Sequence, residues 1–191
     1  MENTDPVKKK KSKSDKTSRE RQTFYRVAFS NNAQLLKIAD NKANIIISIN
    51  ALVISSMIAL VGYGSLSNDI DMTDAFTFVP MILFLVMSLS STIIAVQAAK
   101  PKILGKNQLN AQVKRSVIFF GSVSTFTKDE YLDEITKTLK SRSDIQEQMS
   151  TSLYYQSMVL NQKYKLLRRA YQVFSMGLVV GVSAFLIQLL S

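Results

Sequence analysis

Three stretches without a single charged residue dominate this chain: Ile45 to Tyr63, Ala75 to Ala99 and Val173 to Leu190. A helix needs about 20 apolar residues to cross a hydrocarbon core of ~30 Å, and backbone placed in lipid must satisfy its own hydrogen bonds. Each stretch is therefore expected to be a membrane-spanning helix, the third at the short end of the range. Lys100-Pro101 closes the second, and Pro80 falls in its first turns, where a missing N–H costs little. The fold class that follows is an all-α membrane protein with three transmembrane helices.

The basic residues orient those spans. The loop from Gly64 to Asp74 holds Asp69, Asp71 and Asp74 but no Lys or Arg, and only Ser191 follows the third span. All 24 Lys and Arg thus lie in the N-terminal segment, at the edge of the first span, or between Lys100 and Arg169. Cytoplasmic loops carry the excess of positive charge. The N-terminus and residues 100–169 are therefore expected in the cytoplasm, and the C-terminus outside. Met1 to Lys16 is polar and lysine-rich with no apolar run behind it, which does not fit a cleavable signal peptide.

The cytoplasmic part reads as a small, mostly helical layer built on long extensions of the first and last spans. Residues 1–17 are expected to form a disordered basic tail held near anionic headgroups. From about Ser18, Phe24, Val27, Ala28, Leu35 and Ile38 recur at helical spacing, and no Pro or Gly interrupts Arg19 to Val61. Asn107 to Arg115 reads as a short helix. Ser116 to Phe126 is β-branched and aromatic around one glycine and reads as a strand or an ordered loop. Thr127 with Glu130 three residues on is a capping box that starts a helix to about Lys140, and Ser143 with Gln146 repeats the pattern at the head of the last helix. In that helix Met149, Leu153, Gln156, Leu160, Lys163 or Tyr164, Leu167, Tyr171 and Phe174 form a near-heptad seam. The extension of the first span and the start of the last helix should run parallel and pack together, so that a change in the cytoplasmic layer could reach the spans through continuous helices.

Several function classes are disfavoured. The chain has no Cys and no His, which removes disulfides, zinc sites of Cys/His type, the commonest general base and the usual pH switch. Phosphate-binding and dinucleotide-binding glycine motifs are absent. Asp129-Glu130 and Asp133-Glu134 read as helix-start charges on a solvated face rather than a catalytic carboxylate pair. No catalysis and no metal site is expected. A net charge of +10 taken alone points to nucleic acid or an anionic membrane surface, but no aromatic residue interrupts the N-terminal basic run to stack on bases.

Within the spans, Ala51-Ser55-Ala59, Ser91-Ala95-Ala99 and Gly177-Gly181 repeat small residues every fourth position. Such faces allow helices to approach closely, either inside one subunit or between copies; three spans leave little interior for a pathway, which favours a homo-oligomer. Asn50 needs a partner in lipid and reads as hydrogen-bonding glue between helices, with pore lining as the alternative. Asp40 and Lys42 flank the entrance to the first span as interfacial anchors.

Particular residues also carry a resemblance. Ala39-Asp40-Asn41-Lys42-Ala43-Asn44 leads into Ile45-Ile46-Ile47-Ser48-Ile49-Asn50-Ala51; Phe119-Phe120-Gly121 precedes Lys128-Asp129-Glu130-Tyr131-Leu132; and Lys163-Tyr164, Leu166-Leu167-Arg168 and Ala170-Tyr171 lead into the last span. Together these resemble the Pycsar membrane effector family (PycTM domain), over about Asn32 to Leu190, with Asp40, Lys42, Asn50, Lys163 and Tyr164 as signature positions. The resemblance implies a single domain over 18–191 in a bacterial inner membrane. It also implies an anti-phage role: a partner pyrimidine cyclase makes cyclic UMP or cyclic CMP, and the effector responds by impairing the membrane, so that the infected cell stops growing or dies. Binding residues do not follow from the family pattern. A cyclic phosphate needs cations and backbone donors and a pyrimidine needs an aromatic face. Lys114, Arg115, Phe119, Phe120 and Gly121 supply those types in one run, with Arg168 from the long helix. Two other readings compete: a non-catalytic membrane anchor or scaffold for a partner protein, and a small transporter or channel subunit, the last disfavoured by the lack of charge within the spans.

Overall fold

The computed structural model describes residues 6–67, 75–101 and 115–190, with side chains for 16–64, 78–101, 115–184, 186–187 and 190. Among these residues the chain is helical and contains no strand. Helix α1 runs Pro6–Ser67, α2 Ala75–Ala99, α3 Phe120–Val123, α4 Lys128–Lys140 and α5 Arg142–Leu190. The tail expected to be disordered is thus helical from Pro6 on. Proline is preorganised for a first helical position, and lysines are good helix formers. The short helix expected over 107–115 falls almost wholly outside the described residues.

Two helices, not three, are long and apolar enough to cross a membrane among the described residues: the stretch Lys16–Gly64 within α1, and Phe78–Ala99. The third expected span, Val173 to Leu190, is helical to its end as the last part of α5; three of its side chains (185, 188 and 189) lie outside the described set. Only 11% and 17% of the most apolar windows of α1 and α2 are buried. A core helix of a soluble protein hides most of its apolar side chains, whereas Leu52, Ile58, Leu60, Val79, Val86 and Leu89 are all more than half exposed.

The chain divides into two compact units, Met1–Leu35 with Ile103–Val159, and Leu36–Lys102 with Leu160–Ser191. Both draw on the region expected to form one domain, and α1 and α5 each contribute to both.

In the first unit the two long helices run parallel, as expected. Ser18 pairs with Arg142, Arg21 with Gln146, Tyr25 with Ser150 and Asn32 with Ser157, at offsets of 124 or 125 residues throughout. An offset that stays constant along two helices requires parallel chains in register. Yet the expected contact faces are rotated. Phe24 and Val27 are exposed, and α1 buries Tyr25 and Asn32 instead. In this unit the buried positions of α5 include Gln148, Ser152, Tyr155 and Val159, one residue away from the half-buried Met149–Leu153–Gln156–Leu160 seam. Hydrophobicity pointed to the larger side chains, but the helices meet through hydrogen-bonding and small ones.

Residues 116 to 126 form an ordered loop and the single turn of α3, not a strand. Their backbone is held by side chains rather than by a neighbouring strand. The Gln148 amide accepts from Val117 N (3.1 Å) and donates to Arg115 O (3.3 Å), and Ser116 Oγ accepts from Ile118 N and Phe119 N. The expected capping box is present: Thr127 Oγ1 accepts from Glu130 N, and Glu130 accepts from Thr127 N. The second one is not. α5 opens at Arg142, and it is Ser141 Oγ, two residues earlier than Ser143, that lies 3.5 Å from Asp144 N.

The second unit packs the later half of α1, α2 and the later half of α5 around Ala43, Ile46, Ala95, Ala98, Leu167 and Ala170. Four of these six are alanine, so helix backbones can approach closely, which is how helices associate where lipid removes the hydrophobic drive. The glycines of α5 serve the same end. A Cβ on Gly177 would lie 3.1 Å from Met87 Cβ, and one on Gly181 would lie 2.9 Å from the Phe84 ring. Hydroxyls in α2 return to their own helix, Ser90 to Val86 O and Thr92 to Ser88 O, so they leave no polar group open to lipid.

Candidate functional site

The ligand-binding run expected from the sequence is taken apart by the fold. Phe119 is buried and packs on Tyr155, ring centroids 5.3 Å apart. Gly121 is pressed against Phe119, where an added Cβ would meet the ring at 2.5 Å. These two build the loop's core. Phe120 instead projects outward, 76% exposed. Arg115 turns towards α4, its guanidinium 5.2 Å above the Phe126 ring and 3.9 Å from the Glu130 carboxylate. Arg168 is exposed and belongs to the other unit, and Lys114 lies outside the described residues.

Around Arg115 there is a hollow of about 340 Å³, lined also by Phe126, Glu130, Asp133, Glu134 and Lys137. Three carboxylates face two cations there. Asp133 pairs with Lys137 at 2.7 Å, carboxylate N-terminal to lysine at i,i+4, and that hydrogen bond raises the Lys137 pKa above its ordinary 10.5. Glu130 is engaged by the capping box. A monoanionic phosphate would meet net negative charge in this hollow, which makes it a poor seat for a nucleotide.

The signature residues of the first and last spans fare differently. Asp40 and Lys163 form an ion pair. Lys163 is 6% exposed, and its Nζ also donates to Ala99 O at 3.4 Å, the last carbonyl of α2. A buried ammonium needs this partnership, and a cation at a helix C-terminus meets the negative end of the helix dipole. One turn or more further along α1, Asn50 is wholly buried, and its Nδ2 donates to Ser91 Oγ at 3.1 Å. Ser91 Oγ in turn donates to Ala170 O at 2.9 Å. The chain of bonds joins α1, α2 and α5, so Asn50 acts as glue and not as an open polar wall. Lys42 is exposed and Tyr164 half-buried.

Sequence reasoning missed Gln148 and Ser91, two side chains that tie separate elements together. Gln148 stands one position from the apolar seam, and Ser91 was visible only as a small residue in a ladder. No cluster of three or more Asp, Glu, His or Cys suited to a metal ion occurs among the described residues.

The family model of the Pycsar effector protein domain, PycTM, matches residues 24–190. No curated protein and no solved structure is detectably similar to the chain.

Proposed function

The chain belongs to the Pycsar effector family of anti-phage defence proteins, and we propose that it is the membrane-acting element of such a system, switched on by a cyclic pyrimidine mononucleotide. A partner cyclase supplies cyclic UMP or cyclic CMP during infection; the effector then impairs the integrity of the inner membrane, and the cell ceases to support the phage. The observation that carries the membrane part is the exposure of the apolar helices. Side chains that apolar and that uncovered are stable only in lipid or against further helices. Val173 to Leu190 forms the third span in this reading, the cationic residues stay in the cytoplasm and the C-terminus faces out.

The acting species is a homo-oligomer. Of the three small-residue ladders, Ser91-Ala95-Ala99 and Gly177-Gly181 pack within the subunit. Ala51-Ser55-Ala59 is exposed along its length, so this one face remains for a second copy.

Proteoliposomes loaded with a self-quenched dye test the proposal. Release is expected on addition of cyclic UMP or cyclic CMP and not of cyclic AMP. Intact vesicles with every cyclic nucleotide, together with stable co-purification of a neighbouring protein, would favour the anchor or scaffold reading instead. Protease or labelling access at residues 115–169 from the cytoplasmic side checks the topology.

A further inference from the structure

A second hollow lies at the start of α5, in the first unit, between the first turns of that helix and residues 18–25 of α1. Arg21 and Arg142 line it, with Gln22, Gln146, Ile145 and Met149. Its volume is about 160 Å³, room for a phosphate group. Unlike the hollow around Arg115, no lining residue carries a carboxylate.

The two guanidiniums are held in place by neutral partners. Arg21 donates to Thr17 O and Gln146 Oε1, both at 3.3 Å, and Arg142 donates to Ser18 Oγ at 2.7 Å. These bonds orient the planar groups and leave most of their donors available. The floor is fixed as well: Tyr25 is buried, its hydroxyl 2.7 Å from Ser150 Oγ. Arg142, Ile145 and Gln146 belong to the first turns of α5, where Asp144 offsets part of the positive helix-end dipole, so the two guanidiniums carry the site's charge. Two oriented guanidiniums with no carboxylate among the lining residues, beside a short apolar wall, form a receptor for a phosphate-ester anion.

We infer that this hollow seats a small phosphate-ester monoanion held between Arg21 and Arg142. The inference rests on the function proposed above only for the natural ligand, a cyclic nucleotide. The headgroup of an anionic lipid offers the same chemistry, and the test separates the two. A ligand bridging α1 and α5 here adds a tie between the two helices beyond their direct bonds.

The full-length protein in a neutral maltoside detergent is titrated with cyclic UMP, cyclic CMP, inorganic phosphate and a short-chain phosphatidylglycerol, with binding read by calorimetry. At least one phosphate ester is expected to bind. Arg21→Gln with Arg142→Gln should weaken it more than about tenfold, and Arg142→Lys alone by a few fold, because an ammonium loses the fork geometry. Arg115→Gln should leave binding unchanged. Both arginines are exposed, so circular dichroism of the variants should match the parent. If a cyclic nucleotide binds equally well to the double variant, the site is wrong while the proposed function stands. If only phosphatidylglycerol binds, in an arginine-dependent way, the site stands and the nucleotide reading fails. Binding of none of the four probes overturns the inference.

Discussion

Along α1 and α5, the unit of residues 16–35 and 115–159 buries Tyr25, Asn32, Gln148 and Ser152, whereas the unit of 36–101 and 160–190 buries Ala39, Ala43, Ile46, Leu167 and Ala170. The same two helices therefore use two kinds of interior. In the first, hydrogen bonds from side chains set the register and fasten the loop at 115–119. In the second, backbones come close over alanine and glycine, and polar chemistry is reduced to the Asp40–Lys163 pair and the Asn50–Ser91–Ala170 chain. The contrast suits a protein whose one part meets water and whose other part meets lipid. Water competes for surface hydrogen bonds, so specificity there comes from buried, matched ones; lipid competes for apolar contact, so shape decides.

The contrast can be broken most sharply at its one charged exception. Asp40→Ala is expected to cost about 3 kcal/mol by leaving the buried Lys163 ammonium uncompensated, the half-exposure of Asp40 keeping the loss at the low end for such pairs. Thermal unfolding in detergent measures it, and adding Lys163→Met should recover most of the loss. Next comes the polar unit: Gln148→Leu removes both bonds to the 115–117 backbone at the cost of about 2 kcal/mol. Its signature is faster amide exchange over 115–123, with little change in α2. Gly181→Ala sharpens the shape side. The new methyl meets an aromatic ring at 2.9 Å, so a loss of about 1 kcal/mol is expected, relieved by Phe84→Leu; no loss at all would mean that α2 and α5 pack more loosely than described. Tyr25→Phe should cost about 1 kcal/mol through the lost bond to Ser150.

The smallest effect is a pH dependence confined to alkaline solution. Burial raises the Tyr155 hydroxyl above its ordinary pKa of 10.0, and Asp133 raises Lys137 above 10.5. In both cases the folded state keeps a proton that the unfolded state releases, so stability is intact below the unfolded pKa and falls as pH rises beyond it. Denaturant midpoints should be flat from neutrality to about pH 9 and decline above pH 10, less steeply in Tyr155→Phe.

Much of the fold was legible before any coordinates. Long uncharged runs forced helices of membrane length, the lack of Pro and Gly from Arg19 to Val61 implied an unbroken α1, and Thr127 with Glu130 marked the start of α4 correctly. What failed were the contact faces. Phe24, Val27 and Leu153 look like seam residues because they are apolar, yet Phe24 and Val27 are exposed and Leu153 is only half-buried. Burial passed instead to Tyr25, Asn32, Gln148 and Ser152, whose value lies in partners distant in sequence. Ser116 to Phe126 gave β-like composition, and only Gln148, about thirty residues on, shows why it stays a loop. Asp40 and Lys163 were each visible as signature positions; their pairing was not, because nothing local links them. Residue types near Arg115 likewise said nothing of Asp133 and Glu134, which line the same hollow.

The exposed row Ala51-Ser55-Ala59 has a consequence for dosage. A contact made there forms in the plane of the bilayer, where the relevant concentration is copies per lipid and not moles per litre of cytoplasm. Association is then governed by two-dimensional mass action, so on the proposed function leakage should rise more steeply than linearly with the protein-to-lipid ratio at saturating ligand. On the proposed function, a cell carrying few copies would stay sealed, and the threshold for self-harm would be set by expression level as much as by the infection cue.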